Sequence, residues 1–251
     1  MTKIIMHGCN GKMGQMISDI VAADENAQIV AGIDLVDNKE NAYPVFTDIT
    51  TCDIEADVMI DFTSAKALDS VLSYCKAKSL PLVLCSTGYS KEQIEQIRDA
   101  AREIPLLKSA NMSLCINTVM KLLQVATPIL AEAGFDIEIV EKHHNQKLDA
   151  PSGTALALAD TINEVMNEKY EYKYDRSQER AKRGQNEIGI SAVRGGTIVG
   201  EHEVIFAGTD EVIEVKHTAY SRAVFAKGAV EAAKYMQGKK PGMYDMSDVI
   251  A

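Results

Sequence analysis

A short apolar run, Lys3–His7, breaks into Gly8-Cys9-Asn10-Gly11-Lys12-Met13-Gly14. Helical periodicity begins at once, with Met13, Met16, Ile17, Ile20 and Val21 on one face of a helix predicted over Met13–Ala23. Few patterns restrict a fold more. A strand that turns straight into a helix leaves backbone N–H groups at the helix's positive end, and glycine lets a diphosphate approach that backbone closely. Twenty positions beyond Gly14, closing the next predicted strand (Gln28–Asp34), stands Asp34. A carboxylate at that distance accepts hydrogen bonds from an adenosine ribose. The spacing is Gly-x-x-Gly-x-x-Gly, not the commoner Gly-x-Gly-x-x-Gly, and any tight strand-to-helix turn can hold glycines. Strand before, helix after and acid beyond are what point to a dinucleotide.

After Asp34 come Leu35, Val36, Asp37 and Asn38, with Lys39 the first cation. A carboxylate repels a 2′-phosphate, and users of NADPH place Arg or Lys just here. The sequence therefore predicts a preference for NADH, with NADPH tolerated where Lys39 swings in.

Further strands are predicted at Asp57–Phe62, Leu80–Ser86 and Leu106–Ala110. Between them lie helices at Leu68–Lys78 and from the Ser90/Gln93 capping pair to about Arg102. Such alternation calls for right-handed crossovers and a parallel sheet. The pattern then changes: a helix over Ile116–Ala133, an alternating strand over Phe135–His144 and a helix over Gly153–Glu168. A polar loop over Lys169–Asn186 follows. Three strand-like runs, Ile188–Val193, Ile198–Phe206 and Glu211–His217, are separated by turn residues and suggest an antiparallel sheet. An Ala-rich helix, Ala223–Gln237, comes last.

The 251 residues, 46% hydrophobic, suffice for one large domain or two modest ones. A net charge of -10 argues against nucleic acid but leaves room for a small anionic substrate held by a local cluster of cations. The five cysteines are an odd number with no Cys-x-x-Cys pair, as expected of reduced, buried thiols in a cytoplasmic protein. The N-terminus has no apolar run for export, and no eighteen uninterrupted apolar residues predict a membrane span.

The second informative stretch is Glu141-Lys142-His143-His144-Asn145-Gln146-Lys147-Leu148-Asp149-Ala150-Pro151-Ser152-Gly153-Thr154-Ala155. His143 and His144 end a strand, so their side chains point to opposite faces. An imidazole titrating near neutrality and an ammonium suit proton donation, and the lysine also neutralises a carboxylate. Ser152, Gly153 and Thr154 at a helix start offer N–H and hydroxyl donors to an anion. Read without that chemistry, Thr154 only caps the helix and Lys147 is only solvated. Metal binding is not expected, because adjacent strand residues diverge and no third ligand sits at a matching offset. The cations Arg176, Arg180, Lys182 and Arg183 belong either to a solvated loop or to one offered to substrate or a neighbouring subunit.

The unbroken string His143 to Ala155, H-H-x-x-K-x-D-A-P-S-G-T-A, resembles the signature of the dihydrodipicolinate reductases. The resemblance extends over Asp61-Phe62-Thr63, Ser86-Thr87-Gly88, Ala110-Asn111-Met112-Ser113, Arg194-x-Gly196-x-x-Val199-Gly200-Glu201-His202 and Ser221-Arg222. It implies an α/β protein whose N-terminal Rossmann-type parallel-sheet domain (1–114) is completed by the C-terminal helix (223–251). The inserted α+β domain (115–222) would bind substrate and build a homotetramer through a mixed sheet. It implies reduction of a cyclic imine dicarboxylate, 4-hydroxy-tetrahydrodipicolinate, by NAD(P)H. By position, Gly8, Cys9, Asn10, Gly11, Lys12, Met13 and Asp34 would hold the adenine half of the cofactor. Ser86, Thr87, Gly88, Ala110, Asn111, Met112 and Ser113 would line the nicotinamide half. His143 and Lys147 would donate the proton, while His144, Ser152, Gly153 and Thr154 would contact substrate. Three departures stand out: Cys85-Ser86 in the usual Gly-Thr-Thr-Gly loop, Met112 for a usual Phe, and Ser64 where some relatives carry an arginine. The first two are expected to lower activity, and the third strengthens the expectation of NADH.

Two rivals remain at this point: another two-domain NAD-dependent dehydrogenase, and a non-catalytic NAD-sensing module. The former would lack the His-His-x-x-Lys string. The latter would need the glycine turn and Asp34 but no proton donors.

Overall fold

The computed structural model describes residues 1–109, 111–177 and 179–250. The chain divides into two compact units, Met1–Leu114 with Ala223–Ala251, and Cys115–Arg222.

In the first unit the order is β1 (Thr2–His7), α1 (Lys12–Ala22), β2 (Ala27–Ile33), β3 (Val45–Phe46), β4 (Val58–Asp61), α2 (Leu68–Lys78), β5 (Leu82–Leu84), α3 (Lys91–Ala100) and β6 (Pro105–Lys108). The second unit holds α4 (Leu114–Glu132, which starts on the boundary), β7 (Asp136–His143), α5 (Gly153–Val165), β8 (Glu171–Lys173), β9 (Glu187–Arg194), β10 (Gly200–Ala207) and β11 (Val212–Ala219). The chain then returns to the first unit for α6 (Ala223–Met236), β12 (Gly242–Tyr244) and α7 (Met246–Val249).

The first unit is a seven-stranded sheet in the order β12-β6-β5-β4-β1-β2-β3, every pairing parallel. Both faces are covered, which is why its strands read as continuous apolar runs. Ile4, Met6, Ile60 and Val83 pack with Ile17 of α1 and Ala229, Val230 and Met236 of α6. Ile5, Met59, Leu82 and Leu106 pack with Val71 and Cys75 of α2 and Ile97 of α3. Each such aliphatic side chain contributes about 1.5–3 kcal/mol on burial. The predicted Ser90/Gln93 capping box forms at the start of α3. Strands β3 and β12, two and three residues long, are edge pieces with no alternation to betray them.

The second unit is a five-stranded mixed sheet in the order β11-β10-β7-β9-β8. This corrects the expected run of three sequential antiparallel neighbours. Only β10 and β11 form a hairpin; β7 lies between β10 and β9 and pairs parallel with β9. The turn residues Arg194-Gly195-Gly196 pointed to a hairpin, but β7 takes the place between the two strands. One sheet face, with Ile137, Ile139, Ile188, Ile190, Val204 and Phe206, packs with Ala155, Leu158 and Ile162 of α5 and Leu123 of α4. The polar loop contributes β8, and two of its arginines are engaged. Arg176 bridges Glu138 and Glu187, and Arg183 bridges Asp136 and Glu138, tying β7 to the approach to β9.

Helix α4, at 19 residues and a mean hydropathy of 1.5, is long and apolar enough to cross a membrane by length and composition alone. Lys121 sits midway along it, and Ile116, Leu123 and Thr127 are buried within the protein.

Candidate active site

The glycine turn has the geometry its sequence requires. Gly8 adopts a φ of +85°, which a side chain would strain. A Cβ on Gly14 would lie 2.1 Å from the Gly8 carbonyl oxygen, so the first turn of α1 packs directly on the turn backbone. The Asn10 N–H donates to Asp34 Oδ2 at 2.8 Å and the Leu35 N–H to Oδ1 at 2.8 Å. Asp34 is thereby fixed beside the turn, with lone pairs left on both oxygens. Helix α1 has no side-chain cap on its N-terminal N–H groups, where Lys12 and Met13 begin it. Cys9 contributes backbone only: its thiol is buried, and burial followed by the charge of Asp34 raises it to about 11.

A cavity of about 890 Å³ opens beside this turn, lined by Gly8, Asn10, Gly11 and Asp34 on one side and Thr63, Ser64 and Lys66 on another. Lys66 was not anticipated. It is the cation that lines the cavity, whereas Lys39 does not.

At the C-terminal ends of β1 and β4, His7 and Asp61 are register partners, with His7 Nδ1 2.8 Å from Asp61 Oδ1. The buried Asp61 also accepts from Thr63 Oγ1 at 2.6 Å and Ser86 Oγ at 2.9 Å. The Ser86 hydroxyl is therefore turned inward to organise the strand ends. Thr87 and Gly88 are exposed, and Gly88 has a φ of +80°. Cys85 and Met112 both belong to the core. Asn111 Oδ1 accepts from the Ser113 N–H at 2.8 Å, and both residues are buried. Gly228 of α6 backs onto this segment, since a Cβ there would meet the Met112 carbonyl oxygen at 1.6 Å. Ala110 lies outside the described residues.

In the second unit, β7 ends in a buried ionic network that the sequence reading did not foresee. Glu141 is wholly buried. Its Oε1 accepts from Arg194 Nη2 at 2.7 Å and the Ser152 N–H at 2.9 Å; its Oε2 accepts from Arg194 Nη1 at 2.7 Å and His143 Nδ1 at 2.6 Å. Burial alone would raise this carboxyl, but the hydrogen bonds from Arg194, His143 and Ser152 outweigh it and hold the group below its ordinary range. A lone glutamate at an inward strand position, ahead of two histidines, was the available signal.

His143 is buried and His144 half-buried, as alternation at a strand end requires. The His143 ring meets His202 of β10 edge-on, with centroids 5.1 Å apart. Burial, then the neighbouring His143, pushes His202 down to about 4. Ser152, not Thr154, is the N-cap of α5: its Oγ accepts from the Ala155 N–H and sits 3.0 Å from His202 Nε2. The Lys147 ammonium lies 2.7 Å from Asp149 Oδ1, and the Gly153 N–H also reaches the Asp149 carboxylate. Asp149 is held below the ordinary carboxylate range by Lys147 first. No group of three or more metal-ligating side chains occurs among the described residues.

Each unit thus carries one kind of chemistry. The first presents a glycine cradle with a fixed carboxylate beside it. The second brings together an imidazole backed by a carboxylate, an ammonium and a helix N-terminus.

Known proteins match both parts of the chain, the C-terminal family model also taking in α6 and α7 of the first unit. Residues 2–112 match the family model described as dihydrodipicolinate reductase, N-terminus, and residues 115–250 match dihydrodipicolinate reductase, C-terminus. The chain is 54% identical over 250 residues to the 4-hydroxy-tetrahydrodipicolinate reductase of Clostridium novyi (strain NT), covering 100% of this chain and 98% of that one. It is 52% identical to the enzyme of the same name from Clostridium tetani (strain Massachusetts / E88), covering 98% and 96%. Among solved structures it resembles a dipicolinate-bound dihydrodipicolinate reductase from Paenisporosarcina sp. TG-14, with a TM-score of 0.82, 25% identity and 99% of each chain covered. A probable dehydrogenase from Thermotoga maritima, at a TM-score of 0.65 and 11% identity over 98% of this chain and 92% of that one, shares the fold.

Proposed function

The chain belongs to the dihydrodipicolinate reductase family, and from that premise we propose how its residues divide the work. The reaction is the NAD(P)H-dependent reduction of (4S)-4-hydroxy-2,3,4,5-tetrahydrodipicolinate to 2,3,4,5-tetrahydrodipicolinate and water, in lysine and diaminopimelate biosynthesis. Neither a cofactor-sensing module nor a dehydrogenase of another family fits full-length identity at this level.

The glycine turn fits a dinucleotide, because its helix start is uncapped and its glycines leave no Cβ in the way. Gly8–Met13 receive the diphosphate on backbone N–H groups, and Asp34 accepts the adenosine ribose hydroxyls. Bound nicotinamide supplies the hydride. Thr87, Gly88, Asn111 and Ser113 line its side of the first unit. NADH is preferred, since Asp34 presents a fixed negative charge where a 2′-phosphate would lie.

In the second unit the N-terminus of α5, at Gly153 and Thr154, receives one substrate carboxylate, and His144 contacts the ring. His143 and Lys147 are the proton donors. Ser152 shapes this end, its hydroxyl already committed to the helix cap. The single observation carrying this assignment is the buried carboxylate of Glu141 directly behind His143. Four copies associate through the sheet face that α4 and α5 leave uncovered, where Val140, Val193 and Ile205 lie among Glu138, Lys142, Glu201 and Glu203. The five thiols, none in a disulfide, suit a cytoplasmic setting.

Turnover of the cyclic imine, followed by NADH absorbance, tests the assignment. His143→Ala and Lys147→Ala should each lower kcat by about a hundredfold or more, the ordinary cost of a lost general acid, with NADH affinity almost unchanged. Near-normal turnover in both variants would remove these residues from the mechanism.

A further inference from the structure

We propose that Glu141, gripped by Arg194, is a positioning residue: it fixes the proton of His143 on Nδ1, leaves Nε2 as the nitrogen that exchanges protons with substrate, and locks the start of α5 through the Ser152 N–H. This deepens the reading above, because it rests on His143 as a proton donor.

The argument is an accounting of donors. A carboxylate with two oxygens and four close partners, at 2.6–2.9 Å, accepts every one of those hydrogen bonds. Arg194 and the Ser152 amide have no choice but to donate. His143 Nδ1, at 2.6 Å, does the same, so the neutral ring is the Nδ1–H tautomer and Nε2 holds the lone pair. When Nε2 takes a proton, the buried charge behind it stabilises the imidazolium and keeps the ring from turning.

Space at Nε2 is preserved by the opposite strand. A Cβ on Gly200 would come within 3.2 Å of it, so β10 begins with glycine where the ring needs clearance. The groups facing His143 are few. Glu141 lies on its own strand, Arg194 on β9 and His202 on β10, with His217 of β11 in register beside His202. The charge of Lys147 reaches this cluster from the following loop. His202 stays neutral in this company, which leaves Glu141 as the anion that governs the His143 proton.

Arg194 extends the device to the loop. Besides gripping Glu141 it donates to the Asp149 carbonyl at 2.6 Å. One buried ion pair therefore sets the ring of the proton donor, the backbone before Pro151 and the first N–H groups of α5.

The test is Glu141→Gln, with the neutral pair Glu141→Gln/Arg194→Gln as a second variant should the single change leave Arg194 stranded and the protein unfolded. Wild-type protein should show His143 as the Nδ1–H tautomer in long-range proton–nitrogen NMR spectra. The folded variant should populate the Nε2–H tautomer, lose at least about tenfold in kcat and keep its KM for NADH within about twofold. The fall of kcat with rising pH, which reports loss of the donated proton, should move to lower pH by about one unit or more. A folded variant that retains the Nδ1–H tautomer, or retains both turnover and pH profile, overturns the proposal. His143→Ala measured alongside separates the two claims: unaltered turnover there defeats the proton-donor reading, while the NMR result judges Glu141 independently of turnover.

Discussion

Lys147 Nζ lies 2.7 Å from the carboxylate of Asp149, two residues along the same loop, and the Gly153 N–H reaches that carboxylate too. A proposed proton donor and one of the N–H groups proposed to receive a substrate carboxylate thus already hold a carboxylate from the protein. Asp149 stands in for the anion, and its side chain is more than half exposed, so it can leave. Replacing it with Asn removes the competitor and the repulsion of an incoming dianion. An exposed ion pair is worth about 0.2–1 kcal/mol, so Asp149→Asn should tighten dipicolinate binding by up to about fivefold. The chain has no tryptophan, and titration calorimetry is the direct measurement. Weaker binding would mean that Asp149 organises the loop and does not block it.

On the proposed reading, cofactor preference turns on two residues of one cavity. Asp34 accepts two backbone N–H groups and keeps lone pairs for a ribose; Lys66 lines the same cavity as the cation nearest in role to a phosphate partner. Lys66→Ala should raise the KM for NADPH by about threefold to fivefold, the scale of a solvated charge pair, and leave that for NADH unchanged. Asp34→Ala should raise the KM for NADH by about tenfold or more, since hydrogen bonds to a charged group are worth about 1.5–3 kcal/mol. Equal effects of Lys66→Ala on both cofactors would place that lysine outside phosphate recognition.

The parallel sheet was legible because its strands are buried on both faces and its turn residues are chemically committed. The elements missed in that unit, β3, β12 and the four-residue α7, are too short for any periodicity. The second sheet was less legible, since nothing local tells a strand which neighbour it will choose. The proposed proton donors were visible as a string, but what holds them was not. Glu141 and Arg194 are 53 positions apart in sequence and meet only because β7 and β9 pair in parallel. Gly228 had a faint signature, a lone glycine in an Ala-rich helix, whose reason is the Met112 carbonyl against it.

Close packing of α1 on its turn makes a second pair of variants informative. At Gly14 a Cβ would meet three backbone atoms, at 2.1 Å from the Gly8 oxygen and 2.7 Å from two Cys9 atoms. None of these can swing aside. Gly14→Ala should cost about 1–3 kcal/mol of stability, as overpacked sites do, and open the turn enough to impair binding of either cofactor. At Gly11 the nearest atom would be 3.3 Å away, so Gly11→Ala should fold normally. Urea denaturation and NADH titration of the two proteins test this contrast, and equal stability would show that α1 can shift as a body.

Acid should unfold the second unit through its histidines. His202 is buried, with a folded-state pKa of about 4, against an ordinary value of 6.5. The unfolded chain binds this proton more readily, so the contribution to stability is complete above about pH 6.5 and is lost as pH falls toward 4. At 1.36 kcal/mol per unit, the loss between pH 7 and pH 5 is about 2 kcal/mol from this residue. His217, lowered by burial, acts in the same direction, and Glu141, also depressed, adds its loss at still lower pH. The urea midpoint of wild-type protein should therefore fall steeply over that interval. In His202→Gln, which retains a hydrogen-bonding group for Ser152, the fall should be visibly shallower. Identical slopes for the two proteins would mean that water reaches His202 and that its burial exacts no electrostatic cost.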